Sequence, residues 1–168
     1  FRDSRPERIK QEVEDSLRRL RTDHIDLYQV HWPDPKTPIE ETARALEQLV
    51  TDGKVRALGV SNFSPAQMDE FRKVAPLAAV QPPYNLFERE IEKDVLPYAI
   101  QNKLVVLAYG PLCRGLLSGR MTADRKFEGD DLRKTDPKFK EPRFDQYLKA
   151  VADLKAIADK HGKSMLAL

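Results

Sequence analysis

The sequence predicts an α/β fold in which about four parallel strands alternate with helices. Two observations carry that expectation. Apolar residues recur at helical spacing in several segments, and short apolar runs of strand character lie between those segments. Helix and strand follow one another in turn, which requires crossover connections and therefore parallel pairing. The dense apolar content of the strands implies that both faces of the sheet are covered.

The elements follow in order. Ser4-Arg5-Pro6-Glu7 has the S-x-x-E form of a capping box, with proline tolerated in the first turn. Behind it Ile9, Val13, Leu17 and Leu20 fall on one helical face. Thr37-Pro38-Ile39-Glu40 repeats the device, followed by the stripe Ile39, Ala43, Leu46, Leu49 and Val50, with Asp52-Gly53 as a stop. Ser64-Pro65-Ala66-Gln67 is a third box opening a short helix with Met68 and Phe71. Further helices are expected near 91–101 and 144–161, and Ser164 is placed to cap another. Strands are expected at 25–30, 57–60, 77–80 and 104–108.

Composition excludes several classes. The chain of 168 residues suits one domain. Lys and Arg number 29 against 27 Asp and Glu, and the two signs are interleaved, so no nucleic-acid partner is expected. Cys113 stands alone, which rules out an internal disulfide or a cysteine-based metal site and suggests a reducing, cytoplasmic setting. No apolar run is long enough to span a membrane. FRDSRPERIK runs straight into a helix and SMLAL stops where one begins, so the sequence reads as part of a longer protein.

Parallel strands put their C-terminal ends on one rim, where α/β proteins bind ligands. The expected ends are His31-Trp32, Ser61-Asn62, Gln81 and Tyr109-Gly110. An imidazole there can exchange protons with a substrate oxygen near neutral pH; the plain alternative is a histidine bonded to a neighbouring loop. Asn62 and Gln81 can match the donors and acceptors of another carboxamide, or simply serve the turns. Tyr109 suits stacking on a flat ring, or filling space. The stretch GPLCRGLLSGR, with Gly110, Gly115 and Gly119, is neither a dinucleotide fingerprint nor a Walker loop. Its glycines would let backbone N–H groups approach a phosphate, with Arg114 and Arg120 adding charge. Residues 120–143 are charge-rich and largely aperiodic, a loop with the length of a lid.

HIDLYQVHWPD, GKVRALGVSNFSP, VQPPYNLFERE and VVLAYGPLCRGLLSGR together resemble successive segments of the aldo-keto reductase family. Bacterial stress-type reductases and voltage-gated potassium-channel β subunits, with their YN-x-F-x-R-E segment, are the branches they are most similar to. The resemblance implies a partial (β/α)8 (TIM) barrel. It also implies a reductase that uses NADPH to convert a small aldehyde or ketone to an alcohol, and it leaves an oligomer open. It makes His31 the catalytic histidine that orients the carbonyl. It gives Ser61, Asn62 and Gln81 to the nicotinamide carboxamide, and Tyr109 to stacking on the nicotinamide. Gly110, Pro111, Leu112, Gly115 and Arg120 then run beside the pyrophosphate, and Trp32 lines the substrate pocket. The family's Asp, Tyr and Lys have no counterparts in these residues, so the 168-residue piece alone is expected to be nearly inactive. The alternative is a nucleotide-binding regulatory subunit of channel-β type with little catalysis.

Overall fold

The structure is a computed structural model that describes residues 2–168. The chain forms two compact units. The first holds the residues up to Tyr84 together with Arg89–Tyr109, and the second holds Asn85–Glu88 with Gly110–Leu168.

The first unit runs α1 (Pro6–Leu20), β1 (Ile25–Val30), α2 (Ile39–Thr51), β2 (Val55–Ser61), α3 (Pro65–Arg72), β3 (Ala79–Gln81), a 3-10 turn (Glu90–Lys93), α4 (Val95–Gln101) and β4 (Val105–Val106). Its four strands lie in chain order, every neighbouring pair parallel. This is part of a (β/α)8 barrel: successive strands side by side, each returning through a helix. β1 has the predicted bounds, whereas β4 shrinks to two residues. The helix expected over 91–101 breaks at Asp94, whose carboxylate accepts from the Val95 amide at 2.6 Å and so starts α4 afresh.

The core lies between the sheet and its helices. Leu58, Val60 and Val80 pack against Ile9, Val13 and Leu17 of α1, Ala43, Leu46 and Leu49 of α2, and Met68 and Phe71 of α3. Leu20, predicted to share the α1 stripe, is exposed at the last turn. Side chains alternate along a strand, so Leu27, Gln29, Ala57, Gly59, Ser61, Ala79 and Gln81 occupy the opposite face. The register sets Gln29, Gly59, Ala79 and Val105 in one row across the sheet. A methyl on Gly59 would come within 2.7 Å of Gln29 Oε1, so only glycine lets the Gln29 side chain cross β2. The expectation that both faces are covered holds in the middle of the sheet, where Gly59, Ser61 and Ala79 are buried on the face away from the helices. It fails at the edges, where β1 is half-buried along most of its length and Val105 is 58% exposed.

Two of the three predicted capping boxes do not form. Arg5 and Pro38, not Ser4 and Thr37, occupy the N-cap positions of α1 and α2, without side-chain bonds. A single carboxylate instead ties together the segments that lead into the two helices. Asp34 accepts from the Ser4 amide at 3.0 Å, the Lys36 amide at 2.9 Å and the Thr37 hydroxyl at 2.7 Å. An anion that gathers three donors beside two helix starts is a stronger partner than a neutral hydroxyl. The third box forms as predicted, with Ser64 Oγ accepting from the Gln67 amide and Gln67 Oε1 from the Ser64 amide.

The second unit has the 3-10 segments Cys113–Ser118, Leu132–Lys134, Pro137–Phe139 and Met165–Ala167, and one long helix, α5 (Arg143–Lys160). Cys113, Leu116, Leu117, Phe139, Phe144 and Val151 form its core. Residues 120–143, predicted as a charged loop with the length of a lid, contain two of these 3-10 turns and put Phe127 edge-on against Phe139, ring centroids 5.3 Å apart.

The amide donors, led by Ser4 and Lys36 and joined by the Thr37 hydroxyl, hold the Asp34 carboxyl below the ordinary aspartate value of 3.8. A lowered folded pKa contributes stability that is complete above the unfolded value and lost as the pH falls through the folded one. In urea titrations from pH 7 to pH 2, Asp34→Asn should be less stable at neutrality and lose less stability in acid than the parent. Parallel stability curves would contradict this role.

Candidate functional site

The strand ends of the first unit are joined by hydrogen bonds through one residue. Asn62, immediately after β2, has φ +61°, a left-handed conformation that asparagine tolerates better than most side chains. Its Nδ2 donates to the His31 carbonyl and to Ser61 Oγ, both at 3.0 Å. Its Oδ1 accepts from the Tyr109 hydroxyl at 2.8 Å. Ser61 Oγ in turn donates to the Gln81 carbonyl at 2.7 Å, and the Asn62 amide reaches the same oxygen at 3.2 Å. The Asn62 carboxamide thus joins the segments after β1, β2 and β4, while its backbone amide and Ser61 Oγ reach the end of β3. Tyr109 is also tied through its backbone, its amide donating to the Pro82 carbonyl at 3.0 Å.

Burial is graded across this rim. Ser61 is buried, Asn62 and Gln81 are half-buried, and His31 and Tyr109 are exposed. The Gln81 carboxamide takes part in none of these bonds; only its backbone carbonyl does. Trp32 stands beside His31 with ring centroids 6.4 Å apart, and the Arg2 guanidinium lies 4.5 Å from the indole centre. His31 and Trp32, with Arg2, Glu12, Tyr28 and Val30, line a cleft of about 390 Å³ alongside β1. Among the described residues no group of three or more His, Cys, Asp or Glu could hold a metal, and no helix is long and apolar enough to cross a membrane.

The remaining predicted site residues belong to the second unit. Gly110, Gly115 and Gly119 all have positive φ, and so do Cys113 at +47° and Arg114 at +53°. The expectation that the Gly115 amide is free for a phosphate needs correction, since it donates to the Leu112 carbonyl at 2.9 Å. The Arg120 amide likewise goes to Ser118 Oγ at 3.2 Å, while its side chain is exposed. Pro111 and Leu112 are exposed beside Gly110. Arg114 does not reach outward as a spare cation, because its Nε sits 3.5 Å from Asp136 Oδ2. Burial pushes the Cys113 thiol up to about 11, so it is no nucleophile at neutral pH.

Sequence reasoning missed an ionic junction in this unit. Lys138 Nζ lies 2.9 Å from Glu88 Oε1 and 3.3 Å from Asp136 Oδ2. Asn85 holds the adjoining turn, its Oδ1 accepting from the Phe87 and Glu88 amides and its Nδ2 donating to the Gly110 carbonyl at 3.0 Å. Only the YNLFERE stretch hinted at this, and nothing in its spacing points to a lysine fifty positions on.

Residues 2–168 match the aldo/keto reductase family, and the chain belongs to that family. It is 62% identical over 169 residues to aldo-keto reductase YhdN of Bacillus subtilis strain 168, covering all of this chain and 51% of that protein. A solved structure of a glycerol dehydrogenase from Gluconobacter oxydans is 65% identical, with a TM-score of 0.95 over 99% of this chain and 51% of that one. An NADH-specific methylglyoxal reductase of Escherichia coli strain K12 is 39% identical over 127 residues, 74% of this chain and 39% of the relative. The chain spans about half the length of the first two and less of the third.

Asn62 carries both the rim bonds and a left-handed backbone, and two substitutions separate these roles. Asn62→Gly and Asn62→Ala both delete the side-chain bonds, but alanine adds about 1 kcal/mol of backbone strain. Chemical denaturation should therefore find Asn62→Ala the less stable by about that amount. Equal stabilities would show that the backbone is not held in the left-handed region.

Proposed function

We propose that the chain supplies the catalytic histidine and much of the cofactor site of an NADPH-dependent reductase that converts an aldehyde or ketone to an alcohol. The supporting observation is the joined rim, where an imidazole, two carboxamides, a hydroxyl and a phenol stand at the ends of adjacent parallel strands. Their chemistry fits a nicotinamide. Asn62 Oδ1 keeps a lone pair after accepting from Tyr109, and the Gln81 carboxamide can both donate and accept. Ser61 Oγ, already donating to Gln81, can still accept.

When bound, the nicotinamide supplies the hydride. The chain's residues then have separate tasks on this reading. Asn62, Gln81 and Ser61 hold the carboxamide and fix which ring face meets the substrate. The exposed Tyr109 ring offers a stacking surface, and its bond to Asn62 restrains it. Gly110, Pro111, Leu112, Gly115 and Arg120 take the pyrophosphate, chiefly through Arg120's charge, since the Gly115 amide is engaged. His31 donates an N–H to the carbonyl oxygen, orienting and polarising it, and Trp32 walls the substrate side. The proton comes from a tyrosine that the resemblance places outside these 168 residues. General acid catalysis contributes roughly 10²–10⁴-fold, so the piece alone should be nearly inactive. Preference for NADPH rests on the family resemblance, and a small carbonyl compound in a cytoplasmic setting completes the proposal.

Three measurements on the full-length protein test this. His31→Ala should lower kcat/KM for carbonyl reduction by about 10²-fold or more while leaving the NADPH Kd within about twofold; equal loss of both would remove the catalytic assignment. Tyr109→Ala should weaken NADPH by several-fold, since aromatic stacking contributes about 0.5–1.5 kcal/mol. An unaltered Kd and an unaltered nicotinamide fluorescence would exclude stacking. Titration with both nucleotides should give the tighter Kd for NADPH, and tighter NADH binding would reverse the cofactor assignment.

A further inference from the structure

We propose that Lys138 is a positioning residue that latches residues 120–143 and the loop from Gly110 to Gly119 onto the Asn85–Glu88 turn, and so sets how firmly the dinucleotide is held. This rests on the reading that Gly110–Arg120 run beside the pyrophosphate.

The loop cannot hold its shape on local preference alone. Cys113 and Arg114 are consecutive non-glycine residues with positive φ, a conformation that L side chains resist. Something must over-determine it. Two anchors are visible. At its start, Asn85 Nδ2 grips the Gly110 carbonyl. In its middle, Arg114 is drawn to Asp136.

Both anchors lead to Lys138. Asp136 is 8% exposed at its side chain and shares its Oδ2 between Arg114 and Lys138. Glu88 bonds Asn85 Nδ2 at 2.6 Å through Oε2 and Lys138 Nζ at 2.9 Å through Oε1. One ammonium, itself 20% exposed, therefore bridges the two carboxylates that hold the two ends of the loop's anchorage. Burial disfavours its charge, but the Glu88 hydrogen bond and both carboxylates outweigh that and raise its pKa. Without Lys138, Asp136 keeps only Arg114 and Glu88 loses its cation, in a partly buried place where solvent screens poorly. The turn and the 136–138 segment should then separate, and the strained loop should relax.

The test uses the full-length protein with Lys138→Met, which keeps the stem and removes the charge, and Lys138→Arg. In nucleotide-free protein, Lys138→Met should speed amide hydrogen exchange at 110–119 and leave β2 and β3 unchanged. Its NADPH Kd should rise about tenfold, through faster dissociation, with kcat at saturating NADPH within about twofold. Lys138→Arg should recover most of the affinity. Unchanged exchange at 110–119 would overturn the latch. A kcat that falls with the affinity, or an arginine no better than methionine, would also overturn it. Faster exchange with unaltered NADPH affinity would instead overturn the link to the dinucleotide and, with it, the placing of this loop at the pyrophosphate.

Discussion

The rim depends on the carboxamide of Asn62. It sits where β2 has ended, in a left-handed turn, and it reaches the backbone after β1, the hydroxyl at the end of β2 and the phenol beyond β4. Parallel register brings the strand ends level, but register alone leaves them as separate loops. The Asn62 amide and hydroxyl partners convert them into one hydrogen-bonded edge. An open carboxamide site needs this, because a ligand amide is recognised only where donors and acceptors are held still beforehand. On the proposed reading, the restraint on Tyr109 serves both the rim and the stacking surface.

Beneath the rim the sheet has two unlike faces. The helix-covered face holds the aliphatic core, and its opposite carries Gln29, Gly59 and Ala79 in a row. In a (β/α)8 barrel that second face points inward and is filled by layers of side chains from neighbouring strands. Among the described residues Gln29 Oε1 is buried there without a partner, an energetically unusual position for a polar atom. In the parent fold such a row is one layer of the barrel interior.

Much of this was legible in the sequence. Stripes such as Ile9, Val13 and Leu17 gave the helices, and the apolar run of β1 gave its bounds, because burial on a regular element writes its own period into the chain. The rim residues were legible because parallel strands share an end. What failed was chemistry decided at long range. Ser4 and Thr37 look like caps, yet the Thr37 hydroxyl donates back to Asp34, and the Ser4 amide bonds that same carboxylate thirty positions on. Lys138 and Glu88 sit fifty positions apart in stretches with no periodicity, so their pairing leaves no local trace. The Gly115 amide looked available until the turn closed on Leu112.

The central claim is that the strand-end rim holds a nicotinamide carboxamide. A crystal structure of the full-length protein with NADP+ tests it most directly. The account predicts the carboxamide within about 3 Å of the Asn62 and Gln81 side chains, with the ring against Tyr109 and His31 facing the open side. A nicotinamide bound elsewhere, with the Asn62 bonds to His31, Ser61 and Tyr109 undisturbed and solvent over Gln81, would contradict it.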